Sequence, residues 1–278
     1  MKLDSHQHFW IYNPEEYGWI DSAMAVIRRD FLPDDLAPVL GSLGLDGTVA
    51  VQARQTLEET RWLLSLAARH PIIKGVVGWV PLADRRLDAL LHELAADRRL
   101  LGVRHVVQGE SDPRFLEGEA FNAGIRAITK RGLVYDLLIF ANQLPAAIAF
   151  VDRHPQQRFV LDHIAKPRVE GAPPDSWRRQ LAELAHRQNV FCKFSGVVTE
   201  VPGWKWDLAL LRPYFEAVLG AFGPRRVMFG SDWPVCLVAS TFARWFEAVG
   251  TLAGELSAAE QARILGETAS EAYRLPSS

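Results

Sequence analysis

The stretch Gly47-Thr-Val-Ala-Val-Gln52, Thr56-Leu-Glu-Glu-Thr-Arg-Trp-Leu-Leu-Ser-Leu-Ala-Ala-Arg-His70 and Ile73-Lys-Gly-Val-Val-Gly-Trp-Val80 contains one complete unit of the architecture. The two outer runs are short, apolar and rich in valine, which suits strands. The middle run places Leu57, Leu63, Leu64 and Ala67 at helical spacing, with Glu58, Glu59 and Arg61 between them. Thr56 followed by Glu59 has the pattern of a capping box at the helix start. A strand that returns parallel to its neighbour needs a crossover of about a dozen residues or more. The intervening helix has that length.

The same alternation runs outward in both directions. Apolar runs recur at Leu3–His8, Leu101–Val107, Leu133–Ile139, Arg158–His163, Val190–Ser195 and Val227–Asp232, making eight with the two above. Helix-patterned stretches recur at Asp84–Arg98, Glu117–Arg131, Asn142–His154, Asp175–Gln188 and Asp207–Phe222. Eight apolar runs alternating with helix-patterned stretches predict an α/β fold of the (β/α)8 TIM-barrel type, with residues 1–278 as a single domain. The rival, an open doubly wound sheet, lacks a Gly-x-Gly-x-x-Gly after the first strand. Ser257–Leu275 reads as an extra C-terminal helix packed on the outside of the barrel. The stretch from Phe9 to Pro33 carries Trp10, Tyr12, Tyr17 and Trp19 and is expected to cover the barrel mouth.

Composition narrows the function. The 278 residues hold 31 Lys plus Arg against 33 Asp plus Glu, a formal charge of -2, which offers no electrostatic footprint for nucleic acid or an anionic membrane. Two cysteines, Cys192 and Cys236, rule out a disulfide framework or a cysteine-based zinc site. The start Met1-Lys-Leu-Asp-Ser-His6 lacks the apolar core of a signal peptide, and no run approaches the ~18–20 apolar residues of a membrane span. A cytoplasmic protein with a small-molecule partner is expected, and the sequence leaves a homo-oligomer open.

In a barrel of this type the chemistry sits where the strands end. The first run ends His6-Gln-His8, and a period of two turns both histidines to one face. The fourth carries Arg104-His105, the fifth Tyr135-Asp136, the sixth ends Asp162-His163, and the seventh holds Lys193 and Ser195. The eighth ends Ser231-Asp232-Trp233-Pro234. Any one of these has an ordinary structural reading, such as a turn-capping Asp232 or a core His163. Together they imply a shared polar pocket, because isolated charges are costly inside a barrel. Arg104 and His105 must face opposite ways, and Arg104 is expected to face the pocket because Val103 and Val107 share the face of His105.

Asp4-Ser-His6-Gln-His8-Phe-Trp10, Gly102-Val-Arg104-His105, Asp162-His163-Ile-Ala-Lys166-Pro167 and Gly230-Ser-Asp232-Trp-Pro234 resemble the amidohydrolase superfamily. More narrowly, they resemble its branch of sugar-lactone hydrolases. The resemblance implies a hydrolase that opens an aldonolactone such as L-fucono-1,5-lactone. It places His6, His8, His163 and Asp232 at the catalytic centre, with Asp232 as the base that activates water. Arg104, Asp136, Trp79, Trp233 and His105 are the expected substrate contacts, with Trp204 and Trp206 a further pair. Many members of the superfamily hold divalent metals, but Tyr135-Asp136 stands where metal-binding members place histidine. No metal is therefore expected to be required; if zinc binds, His6, His8 and Asp232 would hold it. The alternatives are a metal-dependent decarboxylase or hydratase of the same superfamily, and a non-catalytic sugar-acid binding protein.

Overall fold

A short apolar run cannot satisfy its own backbone, so strands of this kind associate edge to edge. In the computed structural model, which describes residues 1–275, the runs become β1 (Leu3–Gln7), β2 (Gly47–Val51), β3 (Ile73–Gly78), β4 (Leu100–Val106), β5 (Val134–Leu138), β6 (Phe159–Leu161), β7 (Val190–Phe194) and β8 (Val227–Phe229). Each pairs in parallel with the next in chain order. A parallel bridge between Gln7 and Trp233 draws β8 back to β1, with His8 N donating to the Trp233 carbonyl at 2.7 Å. Asp4 fastens the same seam, accepting from both the amide and the hydroxyl of Ser231 at 2.7 Å. The expected domain limit at Ser278 lies outside the described residues.

Eight helices surround the strands: α1 (Pro33–Ser42), α2 (Leu57–Arg69), α3 (Leu87–Leu94), α4 (Glu119–Lys130), α5 (Leu144–Asp152), α6 (Asp175–Ala185), α7 (Leu208–Phe222) and α8 (Phe242–Leu252). The capping box expected at α2 is only half formed. Thr56 accepts from Glu59 N at 3.1 Å, but the Glu59 carboxylate turns instead to the amides of Ala53 and Arg54, at 3.0 and 2.7 Å. It thereby fixes the turn that leaves β2. None of the helices in the described residues is long and apolar enough to cross a membrane.

The C-terminal helix departs from expectation. It runs as α9 (Ala258–Ala262), a wide turn over Arg263–Glu267 and α10 (Thr268–Ala272), bent at Gly266. Only α9, which has no buried residue, stays on the outside as expected; the rest turns under the barrel. Ala269, Ala272, Tyr273 and Leu275 share a buried cluster with Leu3, Val49, Val51, Val77, Val134, Val160, Phe191 and Met228, the apolar filling of the barrel. Arg158, just before β6, donates to the Ala272 carbonyl at 3.1 Å. The tail is a plug in the N-terminal opening, and the reason is hydrophobic: the open end of an eight-stranded barrel would leave those side chains wet.

The plug lies against the first residues of the chain. A Cβ on Gly266 would fall 2.2 Å from the Met1 carbonyl oxygen and 2.7 Å from Leu3 N. Gly266→Ala is therefore expected to destabilise the fold by about 1–3 kcal/mol, seen as a lower thermal midpoint. Gly250→Ala, in α8 with nothing within 4 Å of the new carbon, is expected to leave the midpoint unchanged or raise it.

Candidate active site

Alternation along the strands sends Asp136 of β5, Lys193 of β7 and Arg104 of β4 inward, above the apolar filling. Lys193 Nζ sits at the centre of this layer, 2.5 Å from Asp136 Oδ2, 2.9 Å from Asp162 Oδ1 and 3.0 Å from His6 Nδ1. Arg104 Nη1 donates to Asp162 Oδ2 at 2.9 Å, and Tyr273 of the plug donates to Asp136. Burial alone would raise the Asp162 carboxyl, but Lys193, His6 and Arg104 outweigh it and hold it well below the usual range. At Asp136 burial wins and the carboxyl rises to about 6.

Four side chains meet above this layer at the floor of a cleft. His8 Nδ1 is tied to the Val51 carbonyl at 2.8 Å, which leaves Nε2 directed at Asp232 Oδ1, 3.4 Å away. His6 Nε2 lies 3.7 Å from the same oxygen and 3.2 Å from His8 Nε2. The His163 ring stands edge-on to His6 with centroids 4.5 Å apart, and its Nδ1 lies 2.9 Å from Ser195 Oγ. Burial pushes the His163 imidazole down to about 4, so the ring is neutral at neutral pH. Burial opposes the charge on Asp232, but His163 and the nearby rings of His8 and His6 more than compensate, and its carboxyl lies below the usual range. An ionised carboxylate thus faces three imidazoles.

The backbone is strained where these groups are presented. His163, Ile164, Ala165 and Lys166 have φ of 52°, 51°, 62° and 46°, and Asp232 has 56°. Left-handed backbone at non-glycine residues costs on the order of 1–3 kcal/mol each and persists where surrounding structure imposes it, commonly at functional sites. Gly196, also left-handed at 65°, lets the chain pass so close that a Cβ there would lie 2.5 Å from His163 Nδ1 and 3.2 Å from Asp232 Oδ2.

The donor chemistry of the floor suits a divalent cation. Ligand atoms of His6, His8 and Asp232 all lie within 4.8 Å of one another and are buried. Two imidazole nitrogens and a carboxylate oxygen form a zinc-type set. The Val51 carbonyl on His8 Nδ1 supplies the kind of outer-shell partner that orients a ligating histidine. At His6 the nearest partner of Nδ1 is the Lys193 ammonium at 3.0 Å, with Asp162 Oδ1 beyond it at 3.4 Å.

His8, Arg104, His163 and Asp232 line a cleft of ≈ 570 Å³, a common size for a small-molecule site. The other expected contacts lie elsewhere. Asp136 is on the inward face but too deep, with its oxygens held by Lys193 and Tyr273. His105 points to the helix side, bonded to Glu110 at 2.6 Å and stacked on Phe115, and Trp79 donates to its Nδ1 at 3.3 Å. Trp233 packs edge-on against Phe9 and Phe31 in the core, and Trp204 and Trp206 line other hollows. Of the expected stacking walls, the Phe9–Trp19 loop alone reaches the cleft, through Trp19, which is 45% exposed.

Arg54, Gln108 and Lys166 also line the cleft, and sequence reading assigned none of them a role. Arg54 follows the end of β2, so counting polar residues at every strand end would have found it. Gln108 Oε1 is buried without a hydrogen-bond partner. Gly196→Ala is expected to lower turnover at least tenfold while the protein stays folded, because the new methyl displaces His163; steady-state kinetics beside circular dichroism would check this.

The amidohydrolase family model matches residues 3–275 of this chain. The chain is 41% identical to an L-fucono-1,5-lactonase of Burkholderia multivorans, covering 99% of this chain and 97% of the relative. It is 36% identical to an L-fucono-1,5-lactonase of Burkholderia ambifaria, covering 99% and 96%. A crystal structure of an amidohydrolase from Burkholderia multivorans with bound zinc superposes with a TM-score of 0.93 at 41% identity, over 99% of this chain and 100% of that one. The barrel, the strand-end histidines and aspartate, and a match over nearly the whole length agree: the chain belongs to the amidohydrolase family.

Proposed function

We propose that this protein hydrolyses a sugar lactone, an aldonolactone of the L-fucono-1,5-lactone kind, to the open sugar acid. One observation carries the reading: an ionised, buried Asp232 faces three imidazoles at the floor of a cleft lined by hydrogen-bonding side chains. The similarity to two proteins named L-fucono-1,5-lactonase supports it.

A lactone is a cyclic ester, so its opening needs a base for water, donors for the oxyanion and a proton for the departing ring oxygen. Asp232 takes a proton from a water held between it and His6 and His8. The resulting hydroxide adds to the lactone carbonyl. His163, with the Ser195 hydroxyl donating to Nδ1, carries its proton on Nε2 and offers it to the oxyanion. As the ring C–O bond breaks, Asp232 returns its proton to the alkoxide. Arg54, Gln108 and Lys166 bind the sugar hydroxyls, and Trp19 forms the wall that Trp79 and Trp233 do not supply. Arg104 is engaged with Asp162 through Nη1 and with the Gln52 carbonyl through Nη2, which fixes its guanidinium at the edge of the cleft.

These steps use only the chain's own groups, and no metal is required for them. Zinc, where bound by His6, His8 and Asp232, would polarise the carbonyl and acidify water. A cytoplasmic setting fits two cysteines that are buried and unpaired.

The test is a pH-indicator assay over a panel of aldonolactones, with and without chelator. Wild type is expected to turn over at least one lactone and to keep its rate after chelation. Asp232→Asn is expected to lose ~10²–10⁴ in kcat. A mutant equal to wild type overturns the role of Asp232. Activity lost on chelation and restored by zinc favours the metal-dependent reading, and turnover no faster than spontaneous hydrolysis favours a binding protein.

The pH profile is a further check. His163 is neighboured by Asp232, Asp162, Lys166 and Arg104, but burial dominates and keeps it unprotonated down to about 4. Asp232 stays ionised below its ordinary value. Neither group is therefore expected to break the rate profile between neutrality and about pH 5; a fall at about 6 would report the Asp136 carboxyl beneath His6 and should be missing in Asp136→Asn. An imidazole with an ordinary pKa would instead break the profile at about 6.5.

A further inference from the structure

We propose that Tyr273, carried by the C-terminal plug at the opposite end of the barrel, is a positioning residue for His6, acting through Asp136 and Lys193. The proposal rests on reading the His6–Asp232 cluster as a hydrolytic centre. The contacts are unbroken from one face of the barrel to the other. Tyr273 Oη donates to Asp136, lying 2.9 Å from Oδ1 and 2.7 Å from Oδ2. Lys193 Nζ bonds Asp136 Oδ2 at 2.5 Å and reaches His6 Nδ1 at 3.0 Å. His6 Nε2 then faces His8 and Asp232. All four side chains in the relay are buried.

A plug that only covered apolar residues would need no hydroxyl at this position, since its neighbours in the cluster are Leu3, Val134, Phe191, Ala272 and the like. The Tyr273 hydroxyl straddles both oxygens of Asp136 and so sets the rotation of that carboxylate. Lysine is a flexible stem with three donors, and Lys193 has three partners: Asp136, Asp162 and His6. Nζ bonds Asp136 Oδ2 and His6 Nδ1, with Asp162 Oδ1 beside it as a second counter-charge. Each His6 nitrogen faces a cation that can only donate, Lys193 Nζ at Nδ1 (3.0 Å) and Arg104 Nη1 at Nε2 (3.3 Å); the shorter contact makes Nδ1 the acceptor, so the neutral His6 ring carries its own proton on Nε2, and Arg104 Nη1 keeps its bond to Asp162. Loosening Asp136 lets Nζ swing toward Asp162 and releases His6 Nδ1.

Tyr273→Phe removes only the hydroxyl and keeps the ring in the plug. In the aldonolactone assay kcat is expected to fall about tenfold, as for loss of a hydrogen bond to a charged group, with KM within about twofold of wild type. Asp136→Asn should show the same split, and the double variant should lose little more than either single one, because both cut the same relay. Leu275→Ala, which weakens the plug without touching Asp136, should lower the thermal midpoint and leave kcat unchanged. Histidine-selective ¹⁵N spectra should show His6 protonated at Nε2 in wild type and a mixture of tautomers in Tyr273→Phe.

An unchanged kcat in Tyr273→Phe overturns the proposal, and so does a loss shared by Leu275→Ala in proportion to stability. If Tyr273→Phe does not fold, the wild-type spectrum decides: a His6 ring protonated at Nδ1 contradicts the relay. Should wild type open no lactone, the functional reading falls, while the His6 spectrum still tests the positioning.

Discussion

Lys193 is the constraint on which the site depends. An ammonium without solvent in the middle of a barrel is tenable only among acceptors and opposite charge: Asp136 and His6 Nδ1 accept from Nζ, and Asp162 Oδ1 pairs with it at 2.9 Å. That single requirement links β5, β6, β7 and β1 at one height. It explains why the barrel changes at this level from an apolar filling to a charged layer. Removing one partner of such a cluster typically costs about 3–5 kcal/mol, so the layer is rigid, and rigidity suits a support for catalytic imidazoles. Arg104 extends the layer to β4 through Asp162.

Above it, the geometry is held by strain as well as by bonds. Four consecutive left-handed residues from His163 to Lys166, and another at Asp232, are conformations the chain would not choose locally. They turn His163 and Asp232 toward each other across Gly196. The stability needed to hold them comes from the strands and helices around them. The seam between β1 and β8, clamped by Asp4 and Ser231, sets His6 and His8 against Asp232.

Much of this was legible in the sequence, for reasons that also explain the failures. Eight apolar runs alternating with helices identify a closed parallel barrel because few other folds repeat a strand and a crossover so regularly. Period-two alternation correctly turned His6 and His8 to one face and separated Arg104 from His105. It gives direction but not height, which is why Asp136 was expected in the cleft and lies beneath it. The tail illustrates a second limit. An amphipathic helix has the same pattern whether its apolar face meets the outer helices or the open end of the barrel, so the plug could not be read from Ser257–Leu275 alone. Trp79 and Trp233 have a third lesson: an indole beside a polar motif is as ready to fill the core, as Trp233 does, or to bond a neighbour, as Trp79 does with His105, as to face a sugar. The helices α1 and α8 escaped notice because Pro33 and Pro38 mask the first and no charged rhythm marks the second.

The most direct measurement of the central claim is a crystal structure of Asp232→Asn with an aldonolactone bound. The account predicts the lactone carbonyl oxygen within hydrogen-bond distance of His163 Nε2, a water between residue 232 and the carbonyl carbon, and the hydroxyls toward Arg54, Gln108 and Lys166. A lactone lodged in the outer cleft, with its carbonyl turned from His163 and no water beside residue 232, would contradict it.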